Sequence, residues 1–426
     1  MKTKKMSTVV INKSKYKEII WPLIVLYSIR LFFPETNQIF MFLCLALILI
    51  IIGFAKRIYI PDIKGLYPYL FVVIILSGVG LVLYDTRYVE RDLFYVLPTI
   101  ILVVLGYYLY RVYETKSIVR TIIICGVIVS VKSFINFLSY ASAIGELQDL
   151  RNIFNVDIYE ICLMFLIMVV YVFNQEKEVF GKKIDIVILS VFLVHILLSL
   201  SRSAWAEVIA GLPVVIIINI FSNTRKASTY AKSAIIISLA VAGVIILYTV
   251  APSNIIEDYN SKVENTSEEL NADQRFNSID EAMANWRAYE NQSVISQWKK
   301  SSALVQVFGA GLGKGTFIKF IPYTWEGVDK EHTITLLHNG YYTMLPKGGV
   351  LGLIVLIYFI IYPVLVGIGS IRKKGYSTEA VVLIAIGVAY AVQTYVVRGP
   401  IETTPNVTWG ILVGWICGQL KSEEEE

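Results

Sequence analysis

Apolar stretches of about twenty residues recur along the whole 426-residue chain, and this restricts the fold more than any motif does. A helix of that length crosses the hydrocarbon core of a bilayer and satisfies its own backbone hydrogen bonds there. Reading on this length gives about twelve spans. They fall near 18–34, 38–55, 66–84, 94–112, 117–140, 156–174, 184–200, 203–222, 232–251, 343–369, 378–397 and 403–420. Hydrophobic residues make up 56% of the chain and charged residues 17%, which is more apolar surface than a water-soluble domain can hide. The chain therefore reads as all-α: a polytopic helical membrane protein in which residues 1–426 form a single membrane domain. The net charge of +5 is spread over short loops. It reads as topology information, with no nucleic-acid footprint. Cys44, Cys125, Cys162 and Cys417 all sit in apolar runs, and no CxxC pattern points to metal or redox work. The Lys-rich N-terminus lacks a short apolar region with a cleavage site, so the first span reads as a retained anchor.

The seventh and eighth spans are separated only by Ser201-Arg202-Ser203. One continuous helix would place Arg202 mid-membrane at a cost of about 3 kcal/mol. A hairpin with Arg202 at its turn avoids that cost. Positive charges alternate between the two sides. Lys56, Arg57 and Lys64, then Arg111 and Lys116, then Lys177, Lys182 and Lys183, then Arg225 and Lys226, then Arg372, Lys373 and Lys374 share one side with the N-terminal lysines. Both termini are expected to be cytoplasmic. Arg202, Arg398 and a large loop over 252–342, between the ninth and tenth spans, then face outward. Within that loop Phe276, Ile279, Met283 and Trp286 recur at helical spacing. This predicts an amphipathic helix near 273–299, lying on the membrane or capping the bundle.

A few polar residues could carry chemistry. Arg202 either snorkels at a span end or clamps a phosphate with its planar, permanently charged fork. Ser201 and Ser203 beside it allow close approach. His338 precedes a span, in Leu337-His338-Asn339-Gly340-Tyr341-Tyr342. Its imidazole can take a proton from an attacking hydroxyl, or it can simply pin a loop. His195 reads as a packed residue within a span, and His332 as solvated. Neither HExxH spacing nor a Cys near His332 and His338 suggests zinc. Arg287 and its rival Arg275 could bring a second cation from the loop, or could pair with Asp280, Glu281 or Glu290. Gly309-Ala310-Gly311-Leu312-Gly313-Lys314-Gly315 fails the P-loop spacing. It reads as a plain loop, with a backbone nest for phosphate or sugar as the alternative. Tyr323, Trp325, Tyr341 and Tyr342 could stack on sugars or form an interfacial belt. Lys132 and Glu207, both within spans, raise the question of an inner polar cavity.

Four pieces occur in order: Leu200-Ser201-Arg202-Ser203-Ala204-Trp205, Trp286-Arg287-Ala288-Tyr289-Glu290, Gly309-Ala310-Gly311-Leu312-Gly313, and His338-Asn339-Gly340-Tyr341 ahead of Gly348, Gly349 and Gly352. With about twelve spans and one large outer loop, the set resembles the O-antigen polymerase and O-antigen ligase superfamily. The resemblance covers roughly residues 195–370; the first half agrees only in hydropathy. It implies a C-type glycosyltransferase of the bacterial inner membrane, needing no cofactor, with its active site on the extracytoplasmic face. Arg202 with Arg287 or Arg275 would hold the diphosphate of an undecaprenyl-diphosphate-linked donor. His338 would act on the acceptor hydroxyl of a second lipid-linked oligosaccharide. Asn339, Gly311, Lys314 and Tyr341 would complete the substrate contacts, and a chain-length regulator is an implied partner.

The leading expectation is a surface-polysaccharide polymerase, metal-independent and inverting. The nearest alternative is a ligase that moves the finished glycan to lipid A core or another acceptor. A transporter of lipid-linked sugars is a further alternative, but it would favour repeated halves and charges along a central path; the sequence shows no internal repeat.

Overall fold

A computed structural model describes residues 19–32, 37–56, 58–140, 144–173, 178–222, 252–266, 276–321, 332–402 and 406–425, with scattered positions between 231 and 249. The helices in chain order are α1 Trp21–Phe32, α2 Asn37–Ala55, α3 Leu66–Leu83, α4 Thr86–Val112, α5 Thr115–Tyr140, α6 Leu147–Phe154, α7 Ile158–Phe173, α8 Lys182–Ser199 and α9 Arg202–Ser222. The loop region holds α10 Ser253–Glu264, α11 Ile279–Ala284, α12 Trp286–Lys300 and α13 Ala303–Phe308. It also holds a two-stranded antiparallel pair, β1 Thr316–Phe317 with β2 Thr333–Ile334. Three helices complete the bundle: α14 Gly340–Lys374, α15 Thr378–Val396 and α16 Val407–Glu425.

The protein is an all-helical, multi-pass membrane protein. Among the described residues, six helices are long and apolar enough to span, or seven if α6 and α7, bent by 63°, make one broken span. The twelve-span expectation is thus met in part. Eleven of the twelve stretches coincide with helices, and most of 232–251 lies outside the described residues. The shortfall has physical causes: α1 has only 12 residues, and α8 opens with Lys182, Lys183 and Asp185. Helix α4 begins earlier than its apolar run, because Asp85 caps it by accepting from the Arg87 N–H at 2.9 Å.

Helices α4 and α16 pack through glycine. A Cβ at Gly106 would collide with the Ile411 carbonyl, and one at Gly414 with that of Val103. Small residues let helix backbones meet where lipid offers no hydrophobic drive. Aromatic pairs fill the space beside this seam: Tyr390 stacks on Trp409 at 4.2 Å and Tyr69 on Phe359 at 4.5 Å. One end of the bundle is pinned by Lys421–Asp62 at 3.0 Å and Tyr376 Oη–Asn219 Oδ1 at 3.0 Å. At the other end Arg30 meets Asp157 at 2.5 Å and Glu160 at 3.4 Å. Glu160 also accepts from the N–H groups of Val407 and Thr408 at 2.5 and 2.9 Å, closing the start of α16. All four cysteines are buried and free, as their apolar settings predict.

The large loop caps this second end. Ala282, Tyr289, Val294, Ile318, Ile334 and Leu337 form a small core that continues into Leu345 of α14. Phe276, Met283 and Trp286 pack against it, which favours the capping alternative over a helix lying on the lipid. The single helix expected over 273–299 is corrected: Asn285 (φ −123°, ψ 48°) breaks it into α11 and α12. Residues 273–275 lie outside the described residues.

Candidate active site

Helix α8 ends where Leu200 adopts the left-handed conformation (φ 46°), and α9 starts at Arg202. The hairpin expected from the cost of a mid-membrane arginine is therefore present. Arg151 of α6 donates to the Leu200 carbonyl at 2.9 Å and steadies the turn. Arg202 turns toward α10, donating to the Lys262 carbonyl and to Thr266 Oγ1, the latter at 2.8 Å. A guanidinium against the last carbonyls of a helix is a favourable cap.

Next along α9, Ser203 Oγ accepts from Arg287 at 3.2 Å. Arg287 comes from α12, so this contact ties the loop to the hairpin mouth. Tyr159 of α7 also hydrogen-bonds Ser203 and lies within electrostatic reach of Arg287. One turn beyond Arg287 on α12, Glu290 is completely buried. It accepts from Trp286 Nε1 at 2.7 Å and from the His338 N–H at 2.9 Å. The His338 ring presents Nδ1 at 3.1 and 3.0 Å from the two Glu290 oxygens. The His338 side chain keeps about a third of its surface (32%) exposed.

This arrangement has chemical content. A carboxylate only accepts, so Nδ1 donates to Glu290, and a neutral imidazole then carries its lone pair on Nε2. Buried, triply bonded Glu290 fixes both tautomer and ring orientation, as a third group does for the base in hydrolytic triads. The backbone around His338 is also braced. Arg398 Nε donates to the Leu337 carbonyl at 3.3 Å, and the Leu337 N–H donates to Thr343 Oγ1 at 3.1 Å. Asn339 caps α14, its Oδ1 accepting from the Tyr341 and Tyr342 N–H groups at 3.0 and 3.2 Å.

The glycine turn lies between α13 and β1, where the plain-loop reading put it, but it is packed into the bundle. Ala310, Gly311 and Leu312 donate their N–H groups to the carbonyls of Pro346, Lys347 and Leu76 at 3.0, 2.9 and 2.9 Å. Gly313 donates to Asp92 Oδ2 at 2.6 Å. The four successive N–H groups from Ala310 to Gly313 are thus all spent on protein acceptors, in line with the plain-loop reading. Gly309, Gly311 and Gly313 have positive φ, which the wedge against α3 and α14 requires. Asp92 Oδ2 also meets Lys347 Nζ at 2.5 Å, and Lys347 donates to the Lys314 carbonyl at 2.9 Å.

Of the remaining expected contacts, Tyr341 Oη donates to the Ala391 carbonyl at 3.0 Å. Lys314 borders a 250 Å³ cleft with Trp298, Lys300, Gln297 and Pro346. Arg275, Tyr323 and Trp325 lie outside the described residues. His195 is buried with Nε2 at 2.9 Å from the Phe154 carbonyl, and His332 is exposed, each as expected. Lys132 caps the end of α1 by donating to the Leu31 carbonyl at 2.8 Å.

Sequence reading missed Glu290 as the partner of His338, and missed Asp92 and Lys347 altogether. Spacing held one clue: Trp286 and Arg287 stand four and three residues before Glu290, hence on its face of a helix. A lysine between Pro346 and Gly348, inside an apolar run, held the other. Residues 186–357 match a family model described as O-antigen ligase. No curated protein matches the chain.

Proposed function

We propose that this chain, whose residues 186–357 match a family model described as O-antigen ligase, is a membrane polymerase of surface polysaccharide. The family transfers lipid-linked glycans. In this reading the donor glycan rides on undecaprenyl diphosphate, and the acceptor is the non-reducing-end hydroxyl of a second lipid-linked unit. The bundle has about twelve spans, both termini are cytoplasmic, and the loop over 252–342 faces the extracytoplasmic side of a bacterial inner membrane. The alternation of lysine and arginine between the two ends supports this orientation.

One observation carries the reading: helix α12 places Arg287 against Ser203, next to Arg202, and one turn later Glu290 against His338. One rigid helix thus carries both a fixed cation, Arg287, and Glu290, the carboxylate that orients the base His338. In the proposed reaction the acceptor oxygen bonds to the anomeric carbon of the donor, and the bond from that carbon to the diphosphate breaks. The acceptor proton passes to Nε2 of His338, and the diphosphate leaves with the bonding pair. Arg287 and Arg202 stabilise the charge that builds on the phosphates without reorganising, so no metal is needed. Attack from the face opposite the leaving group inverts the anomeric centre. In this reading Asn339, Gly311, Lys314 and Tyr341 complete the substrate contacts around this centre.

Deleting the gene and resolving the surface glycan on a gel tests the assignment. A polymerase leaves single capped repeat units. Long chains retained on the carrier would instead make it a ligase, and lipid-linked units trapped inside would make it a transporter.

A further inference from the structure

Glu207 follows Ser203 by four residues on α9, so the two side chains are neighbours one turn apart on one helix face. Glu207 is completely buried, and neither of its carboxyl oxygens has a hydrogen-bond partner among the described residues. One of its electrostatic neighbours is another carboxyl group, Glu160. Burying an unpartnered acid beside a second acid is among the most costly arrangements a membrane interior can hold. A buried polar group left without a partner calls for an explanation, and a ligand that supplies the missing hydrogen bond is one.

The surroundings connect it to the site. Tyr159 hydrogen-bonds Ser203 and lies within electrostatic reach of both Arg287 and Glu207. Cys162, one turn along α7, contacts the Ala204 carbonyl at 3.6 Å and also lies near Glu207. A polar line therefore runs from Arg287 through Ser203 and Tyr159 to Glu207. The site is assigned above to a lipid-linked glycan, and this inference rests on that reading. Such a ligand has three parts. The prenyl chain offers no hydrogen bonds, and the diphosphate is an anion that offers oxygens. Only the sugar offers hydroxyl donors, which a carboxyl group accepts in either protonation state.

We infer that Glu207 is a donor-recognition residue, taking a hydroxyl of the sugar joined to the diphosphate while Arg287 holds the phosphates. Apolar replacement of an unpartnered buried acid removes its desolvation cost and is commonly neutral or stabilising. Glu207→Leu therefore separates recognition from folding.

The test measures binding of two probes to the full chain in nanodiscs: undecaprenyl diphosphate bearing an oligosaccharide, and the same carrier without sugar. Glu207→Leu should weaken the glycan-bearing carrier by about tenfold or more, leave the bare carrier unchanged, and melt no lower than wild type. Equal weakening of both carriers, or of neither, would overturn the inference while leaving the diphosphate reading intact. Wild-type protein that binds neither carrier would remove the diphosphate reading and this inference with it. Should the variant not fold, labelling of wild-type Glu207 by a lipophilic carbodiimide gives the same decision. The glycan-bearing carrier should slow it and the bare carrier should not; equal protection by the two would count against the assignment.

Discussion

Nδ1 of His338 lies 3.0 Å from Oε2 of Glu290, a carboxylate with no solvent exposure that also receives the His338 backbone N–H at 2.9 Å. The same residue thus fixes both the ring and the chain that carries it. Glu290 stands one turn from Arg287 on α12, and Arg287 reaches Ser203 at the hairpin mouth. Two chain segments more than a hundred residues apart are joined by one short helix, and several consequences can be measured.

Glu290→Gln keeps the shape of the side chain but replaces one acceptor oxygen with an amide donor. The Trp286 N–H, the His338 N–H and Nδ1–H would then compete for a single acceptor. Losing a hydrogen bond to a charged group costs about 1.5–3 kcal/mol. Transfer should fall about tenfold to a hundredfold, while the amount of folded protein in detergent changes little. Polymerisation assays on purified protein, paired with size-exclusion profiles, check this.

Arg287→Lys retains the charge but loses the planar fork. If Arg287 steadies departing phosphates, the lysine variant should lose activity nearly as severely as Arg287→Ala, on the order of a hundredfold or more. Full activity in the lysine variant would mean that charge alone suffices. Initial rates at saturating donor distinguish the two cases.

Arg202 donates to the Lys262 carbonyl and to Thr266 in this structure. Its proposed place at the diphosphate predicts that Arg202→Ala lowers the rate on the order of a hundredfold. Thr266→Ala, which removes one of these two contacts and keeps the bond to the Lys262 carbonyl, should leave most activity. Equal losses in the two variants would make Arg202 a brace for α10 and nothing more.

Asp92 and Lys347 form a fully buried ion pair that also receives the Gly313 N–H. Breaking a buried pair by removing one partner costs about 3–5 kcal/mol, whereas replacing both with apolar residues is often tolerated. Asp92→Leu or Lys347→Met alone should lower the melting temperature in detergent strongly. The double variant should recover much of that loss, as a double-mutant cycle of thermal melts would reveal.

Much of the bundle could be read from hydropathy, because the bilayer fixes the length of an apolar helix. The hairpin at Arg202 was legible because a mid-membrane arginine is expensive. The earlier start of α4 was not, since Arg87, Glu90, Arg91 and Asp92 look like a solvated loop until the glycine turn and Lys347 enclose Asp92. Arg287 and His338 stood out as isolated polar residues in ordered motifs. Glu290 did not, because a glutamate in a charged loop carries no mark of burial; only the third dimension surrounds it with Trp286 and His338. The break at Asn285 was hidden by an apolar stripe that continues across it.

The central claim is that the cation and the base united by α12 perform glycosyl transfer. Its most direct test reconstitutes the purified protein in lipid with an undecaprenyl-diphosphate-linked repeat unit and follows product length. Wild-type protein should extend the glycan and release free undecaprenyl diphosphate, with inversion at the new linkage, and His338→Ala should abolish both. Chain extension at the wild-type rate by His338→Ala would contradict the account.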